Sequence, residues 1–305
     1  MGLGRSVANC SKIGPELMKP IGKSDFLTCH ENPNRDWWEA NPMTYDWEKS
    51  LAIERFAEPW FDEIDRRFFQ SAYYAQSKGA ATFSRFIPES EIRGMRTLEI
   101  GCGMGSHAEL LTRRGAHLTA IDQTDFAVDS TRRRLELRRL PHDVRRIDAE
   151  VLPLESREFD LVWTWGAIHH SCSTENILQN IGRVLKPGGS LRMMVYYRPS
   201  LVYWVHCGLI RGVLLGGLLR KRLDQIYVDA TDGFFARTFS KRELTALLED
   251  DFKQVRFSVI GLKAELYPIP RTDFKTLLEQ STPDWLAVSL LSHWGSMIYV
   301  DAVRR

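Results

Sequence analysis

Between residues 96 and 197, short apolar runs alternate with amphipathic stretches, the pattern of a parallel sheet flanked by helices. The runs at 96–101, 116–122, 144–149, 159–166 and 190–197 predict five strands. Helices are predicted over 106–114, stopped by Gly115, and over 125–139, with basic residues near the end where they suit the macrodipole. Ile177, Leu178, Ile181, Val184 and Leu185 share one helical face, and Pro187-Gly188-Gly189 is read as that helix's stop. Further on, Ser240-Lys241-Arg242-Glu243 is a capping box opening a helix with Leu244, Leu247 and Leu248, and 254–260 and 297–303 read as two last strands. Right-handed crossovers place helices on both faces, so the fold class is a doubly wound α/β sheet.

Flanking segments complete the expected organisation. Residues 1–35, rich in Gly, Pro, Ser and Asn, read as a loosely ordered arm, and 36–92 as a helical cap dense in aromatic residues. Residues 93–305 form the α/β domain, with a helical insertion at about 200–236. At 305 residues and a net charge of +2, the chain has a sizeable core and lacks the basic stripe expected for nucleic acid. Five cysteines without CxxC spacing point to a reduced compartment and no zinc site. The N-terminus has no basic-then-apolar leader, so a cytoplasmic location is expected.

The stretch with most chemical content is Leu98-Glu99-Ile100-Gly101-Cys102-Gly103-Met104-Gly105, where the first strand gives way to a helix. Glycine lets backbone approach a ligand closely and adopt positive φ. Asp122 ends the next strand about 20 residues on, the spacing of a ribose-binding acid, so the pair marks a nucleoside site at the switch point of the sheet. A dinucleotide fingerprint would place glycine where Ser106 stands, and would leave Glu99 unexplained. A carboxylate before the turn suits a cationic ligand better than a pyrophosphate. S-adenosylmethionine, with an amino group, a sulfonium and no phosphate, matches that charge; a nicotinamide oxidoreductase does not.

Other motifs follow in order: Asp148-Ala149-Glu150-Val151-Leu152-Pro153-Leu154, then Phe159-Asp160-Leu161-Val162, Ile168-His169-His170-Ser171 and Arg183-Val184-Leu185-Lys186-Pro187-Gly188-Gly189. With the glycine turn and Asp122, these make residues 96–199 resemble a class I S-adenosylmethionine-dependent methyltransferase of the ubiquinone/menaquinone-biosynthesis-like (type 11) group. The resemblance implies seven strands in the order 3-2-1-4-5-7-6, with strand 7, around Tyr299, antiparallel. It implies that Glu99, Gly101 and Gly103 line the methionine end of the cosubstrate, that Asp122 binds ribose, and that Gln123 lies beside the adenine. It also implies that Asp148 receives the adenine amino group, that Ala149 supplies backbone contacts, and that Trp165 and Gly166 border the sulfonium. Some related quinone O-methyltransferases hold a metal through a Glu-His pair; this chain has His169 in place of that glutamate, so no metal is expected.

On the acceptor side, His169 and His170 are the candidate proton acceptors, needed only if the nucleophile arrives protonated. Packing in a helix-initiating loop is the competing reading for both. Tyr45 or Trp47 is placed to shield the sulfonium by cation–π contact, while most aromatics of the cap are expected to be core. Residues 201–219 are apolar apart from His206, Arg211 and the aromatic polar groups, carry glycine at 208, 212 and 216, and precede Arg220-Lys221-Arg222. We read this segment as a lid over a hydrophobic acceptor pocket, with its glycine stripe against a packed neighbour. Membrane-surface contact through 201–222 is the second reading, because Arg211 near the middle makes spanning costly. The expected function is therefore methyl transfer to a small hydrophobic acceptor. The alternatives are a peripheral-membrane lipid or quinone methyltransferase and a non-catalytic S-adenosylmethionine-binding adapter. The acceptor, the methylated atom and the oligomeric state are not legible.

Overall fold

The computed structural model describes residues 33–45, 52–76 and 81–305. Trp47 and nearly all of the expected arm lie outside the described residues. Seven strands form one sheet: β1 Arg96–Ile100, β2 His117–Asp122, β3 Val144–Arg146, β4 Phe159–Trp165, β5 Leu185–Tyr196, β6 Phe252–Ile260 and β7 Met297–Arg304. Their order is β3-β2-β1-β4-β5-β7-β6. Strands β1 to β5 pair in parallel, and β7 runs antiparallel between β5 and β6. This is the seven-stranded order that the resemblance implies.

The alternation along the strands divides the core in two. Leu98, Ile100, Val162, Leu191 and Val300 point to one face. There they meet Ile177, Leu178 and Ile181 of α6 (Thr174–Val184) and Leu244 and Leu248 of α8 (Lys241–Leu248). Leu118, Ala120, Leu161, Trp163 and Tyr299 point to the other face, against α4 (Ser106–Arg113) and α5 (Asp125–Leu137). That face is also covered by Phe68, Tyr74, Phe83 and Phe86 from the N-terminal cap. The cap consists of α1 (Pro33–Ala40), α2 (Glu58–Ser71) and α3 (Glu89–Ile92). Most of its aromatics are core: Trp60, Phe61 and Phe83 are fully buried.

Two local expectations change. The helix ending near residue 185 stops at Val184, because Leu185 already joins the sheet opposite Phe159. Pro187-Gly188-Gly189 is an irregularity within β5, not the helix stop, and pairing resumes at Ser190 opposite Leu161. The insertion is the second change. It holds a π-helix, Val202–Leu214, with Leu215 N–H reaching the Ile210 carbonyl, then α7 (Leu223–Val228). Its buried positions, Tyr203, Cys207, Gly208 and Gly212, are spaced by four, one and four residues along one side. The glycines do pack: a Cβ on Gly212 would meet Leu218 at 3.0 Å, and one on Gly208 would meet Leu223 at 3.8 Å. The opposite side is open to solvent, with Leu209, Val213 and Leu215 exposed.

Candidate active site

The carboxyl ends of β1, β2, β3 and β4 converge on one crevice, where open α/β sheets bind ligands. The Gly101 and Cys102 amides both donate to the Ile121 carbonyl, at 2.9 and 3.1 Å, locking the turn against β2. Gly101, Gly103 and Gly105 have φ of 79°, 52° and 77°. At Gly101 a side chain would overlap Ala167, whereas at Gly103 a Cβ would enter open space, where a ligand can approach the backbone.

Asp122 is held at the tip of β2 by three donors. The Gly103 amide reaches its Oδ2 at 3.2 Å, and the Thr124 amide and hydroxyl reach Oδ1 at 3.0 and 2.9 Å. Burial nevertheless raises the Asp122 carboxyl above its ordinary range. Glu99, 2% exposed, is raised well above its own range by burial and then by the Asp122 charge, and among the described residues its Oε2 has no hydrogen-bond partner. An orphaned buried carboxylate oxygen is uncommon and calls for a donor. A cationic donor placed here would satisfy it and lower the carboxyl again, which is what the ammonium of S-adenosylmethionine offers. The residues present therefore fit that group.

Asp148 and Ala149 follow β3 beside this pair: the Ile147 amide donates to the Asp122 carbonyl at 2.9 Å, and Arg146 reaches the Gln123 carbonyl at 3.3 Å. Asp148 is exposed, and its Oδ1 accepts the Glu150 amide at 2.9 Å. Trp165 and Gly166 end β4 at the crevice. The Trp165 ring itself belongs to the aromatic layer, stacked on Trp163 at 5.4 Å and 8°, which leaves chiefly backbone at that point.

Past β4, His169 and His170 sit on a short 3-10 turn and are both buried. His170 Nδ1 lies 2.8 Å from the Phe235 carbonyl, which can only accept, so Nδ1 carries the proton and Nε2 the lone pair. Burial lowers the His170 pKa to about 4 and drives His169 well below its usual range. These rings are neutral at neutral pH, and burial makes them weaker bases than a free imidazole. The His169 ring lies against Tyr196, centroids 3.9 Å apart and tilted by 37°, and among the described residues neither of its ring nitrogens has a hydrogen-bond partner.

Three groups here were not singled out from the sequence. Asn34 of α1 accepts the Phe235 amide at 2.8 Å and donates to the Phe235 and His170 carbonyls, fastening the cap and the insertion's exit loop to the histidine turn. Gly233, at φ 86°, lies where a Cβ would meet the His170 ring at 2.6 Å. Its neighbour Asp232 is largely buried, is raised by that burial, and among the described residues makes no hydrogen bond or ion pair. Burial, and after it the Asp232 charge, raises the Tyr45 and Tyr196 phenols. The Asp232-Gly233 turn dipeptide was the available signal. The Tyr45 ring stacks on Phe68 at 5.6 Å. Among the described residues, no three His, Cys, Asp or Glu side chains converge as a metal-binding set.

The buried neutral histidines predict acid lability. His107, caged by Phe68, Phe83 and Trp163, has its pKa lowered to about 3, first by burial and then by Arg134. For His107 and His170 the unfolded chain binds the proton first, near pH 6.5. Stability is therefore complete above that pH and falls as pH drops toward 4 and 3. His170 alone should account for roughly 3 kcal/mol of the loss. Thermal melts from pH 7.5 to about 4 test this; a flat stability over that range would refute it.

A doubly wound sheet with an antiparallel seventh strand, a glycine turn after β1 and an acid at the end of β2 together define the class I methyltransferase architecture. Residues 98–193 match the family described as "Methyltransferase domain". Over this segment the chain carries a methyltransferase domain, on a sheet with the strand order of class I S-adenosylmethionine-dependent methyltransferases. It is similar to the "Ubiquinone biosynthesis O-methyltransferase" of Methylocella silvestris, 34% identical over 184 residues, covering 60% of this chain and 66% of the relative. The protein of that name from Roseobacter denitrificans is 30% identical over 160 residues, covering 50% of this chain and 64% of the relative. The chain therefore spans just under two thirds of the length of these two relatives. In fold it resembles a chain from the complex between the Haloferax volcanii Trm112 methyltransferase activator and a methyltransferase. That match has a TM-score of 0.52 and 17% identity, and covers 83% of this chain and 99% of the other.

Proposed function

We propose that the protein transfers the methyl group of S-adenosylmethionine to a hydroxyl of a hydrophobic acceptor bound beside the histidine turn, under the exit of the insertion. The observation that carries this reading is the unpartnered, buried Glu99 oxygen beside a glycine turn and a fully braced Asp122. S-adenosylmethionine supplies an activated methyl on a good leaving group. Glu99 neutralises the positive charge, Asp122 fixes the ribose, and the open face of Gly103 lets the ligand reach the backbone. Such positioning is worth about 7–11 kcal/mol in well-oriented reactions. The aromatic and histidine walls of Tyr45, Tyr196 and His169 suit an apolar acceptor, and the names of the two relatives support oxygen as the methylated atom. The oxygen–methyl bond forms as the sulfur–methyl bond breaks, and the acceptor's proton goes to the Asp232 carboxylate, which burial has made more basic. Trp165 and Gly166 border the transfer, and the neutral His170 Nε2 can accept a hydrogen bond from the acceptor.

Mass spectrometry of products from a panel of hydrophobic phenols tests the reading. Asp232→Asn should lower turnover by about 10²-fold or more while S-adenosylhomocysteine affinity holds, since the proton-transfer role lies in the chemical step. His169→Gln and His170→Gln should cost less. Full turnover in Asp232→Asn would remove it as the base. Tight S-adenosylhomocysteine binding with no transfer to any acceptor would favour the non-catalytic adapter.

A further inference from the structure

The outer side of the insertion is the least protein-like surface of the described residues. Trp204, Leu209, Val213, Leu215 and Leu219 are exposed there, Leu215 to 75% and Leu219 to 90%. Gly216, at φ 72°, ends the π-helix and turns the chain so that Leu218 and Leu219 extend the same apolar stretch. The π-helix adjoins a second apolar surface: its His206 ring bonds the Glu265 carbonyl at 3.1 Å, and Lys263 of the same turn pairs with Asp284 at the start of α10 (Asp284–Trp294). The intervening α9 (Asp273–Ser281) buries none of its residues, and α10 buries only Ala287 and Leu291, leaving Phe274, Trp285 and Trp294 exposed. Soluble monomers seldom expose contiguous apolar surface on this scale.

Charge decides what covers it. Residues 201–223 contain Arg211, Arg220, Lys221 and Arg222 and no Asp or Glu. Lys221 pairs with Asp229, but among the described residues Arg211, Arg220 and Arg222 have no acidic partner. A two-fold dimer through this face would bring two such cationic segments together, since an isologous interface meets its own copy. An anionic lipid surface meets both properties at once, with leucine and tryptophan entering the headgroup region and arginine and lysine facing the phosphates. Among the described residues no helix is long and apolar enough to cross a membrane, so the contact is with the surface. We infer that the outer face of the 202–222 insertion docks this protein on anionic membrane surfaces. The inference rests on exposure and charge and does not depend on the methyl-transfer reading.

The test is co-sedimentation of the full chain with vesicles of phosphatidylcholine alone or with added phosphatidylglycerol. Binding is expected with the anionic lipid and should weaken as salt rises, because these charges are exposed. Leu215→Glu with Leu219→Glu, and separately Arg220→Glu with Arg222→Glu, should each weaken it by at least about tenfold. All four side chains are solvent-facing, and unchanged S-adenosylhomocysteine binding or melting temperature shows that the variants are folded. No binding to anionic vesicles at low salt would overturn the inference, as would binding that both double variants leave unchanged. Concentration-dependent dimerisation abolished by Leu215→Glu/Leu219→Glu, without vesicle binding, would assign the face to a second copy instead.

Discussion

Replacing Arg134 with Met should lower the stability of the protein by about 3–5 kcal/mol, the range for breaking a buried ion pair from one side. The Arg134 side chain is 1% exposed and ties three elements together. Its Nε donates to Glu109 on α4 at 2.8 Å, its Nη2 pairs with Asp65 on α2, and its Nη1 reaches the Met104 carbonyl and the Ser106 hydroxyl at 3.3 and 3.2 Å. The guanidinium also lies over the Phe61 ring, 5.4 Å from its centre. Burial alone would raise the Glu109 carboxyl, but Arg134 and Arg113 hold it below its ordinary value. Met fills the space of the stem and removes every one of these donors, leaving Asp65 and Glu109 without the partner they share. Because the clamp also grips the turn between Gly103 and α4, cofactor affinity should fall with stability. Urea denaturation measures the first and calorimetry with S-adenosylhomocysteine the second. A loss below about 1 kcal/mol would mean that Arg113 and Arg138 take over the carboxylates.

Asp122→Ala should weaken S-adenosylhomocysteine binding by about 1.5–3 kcal/mol, roughly ten- to hundredfold, the range for hydrogen bonds to a charged group. The braced carboxylate accepts hydrogen bonds from the protein on both oxygens and still offers lone pairs to ribose hydroxyls. The variant also frees the Gly103 amide, so the turn loosens as the ribose contact disappears. Calorimetry that finds tight NAD binding, and none for S-adenosylhomocysteine, would defeat the site assignment altogether.

The periodic parts of the chain were legible without coordinates. Strict alternation and helical spacing report burial on one or two faces, and that burial is local in sequence; all seven strands lie within a few residues of their predicted bounds. The glycine turn and Asp122 were legible for a similar reason, since a strand, a turn and a next strand at fixed spacing leave the backbone few arrangements. The turn at 187–189 misled, because Pro-Gly-Gly forms an irregularity in a strand as readily as it stops a helix, and only pairing with β4 distinguishes the two.

Tertiary structure alone decided the chemistry between distant segments. Asn34 lies 136 residues before His170 and 201 before Phe235, and they meet through a few hydrogen bonds that leave no periodic trace. The same holds for Arg134, which on α5 looks like one more basic residue until the cap brings Asp65 to it. The histidines' loss of basicity is likewise a matter of desolvation, a property of everything packed around a ring and not of the ring's own sequence position. For 201–219, the sequence by itself determined that the segment is apolar, basic at its end and free of acids. Which side of it packs and which stays in water was settled by the π-helical winding and the partners available, because hydropathy counts apolar residues without saying where a neighbour will be.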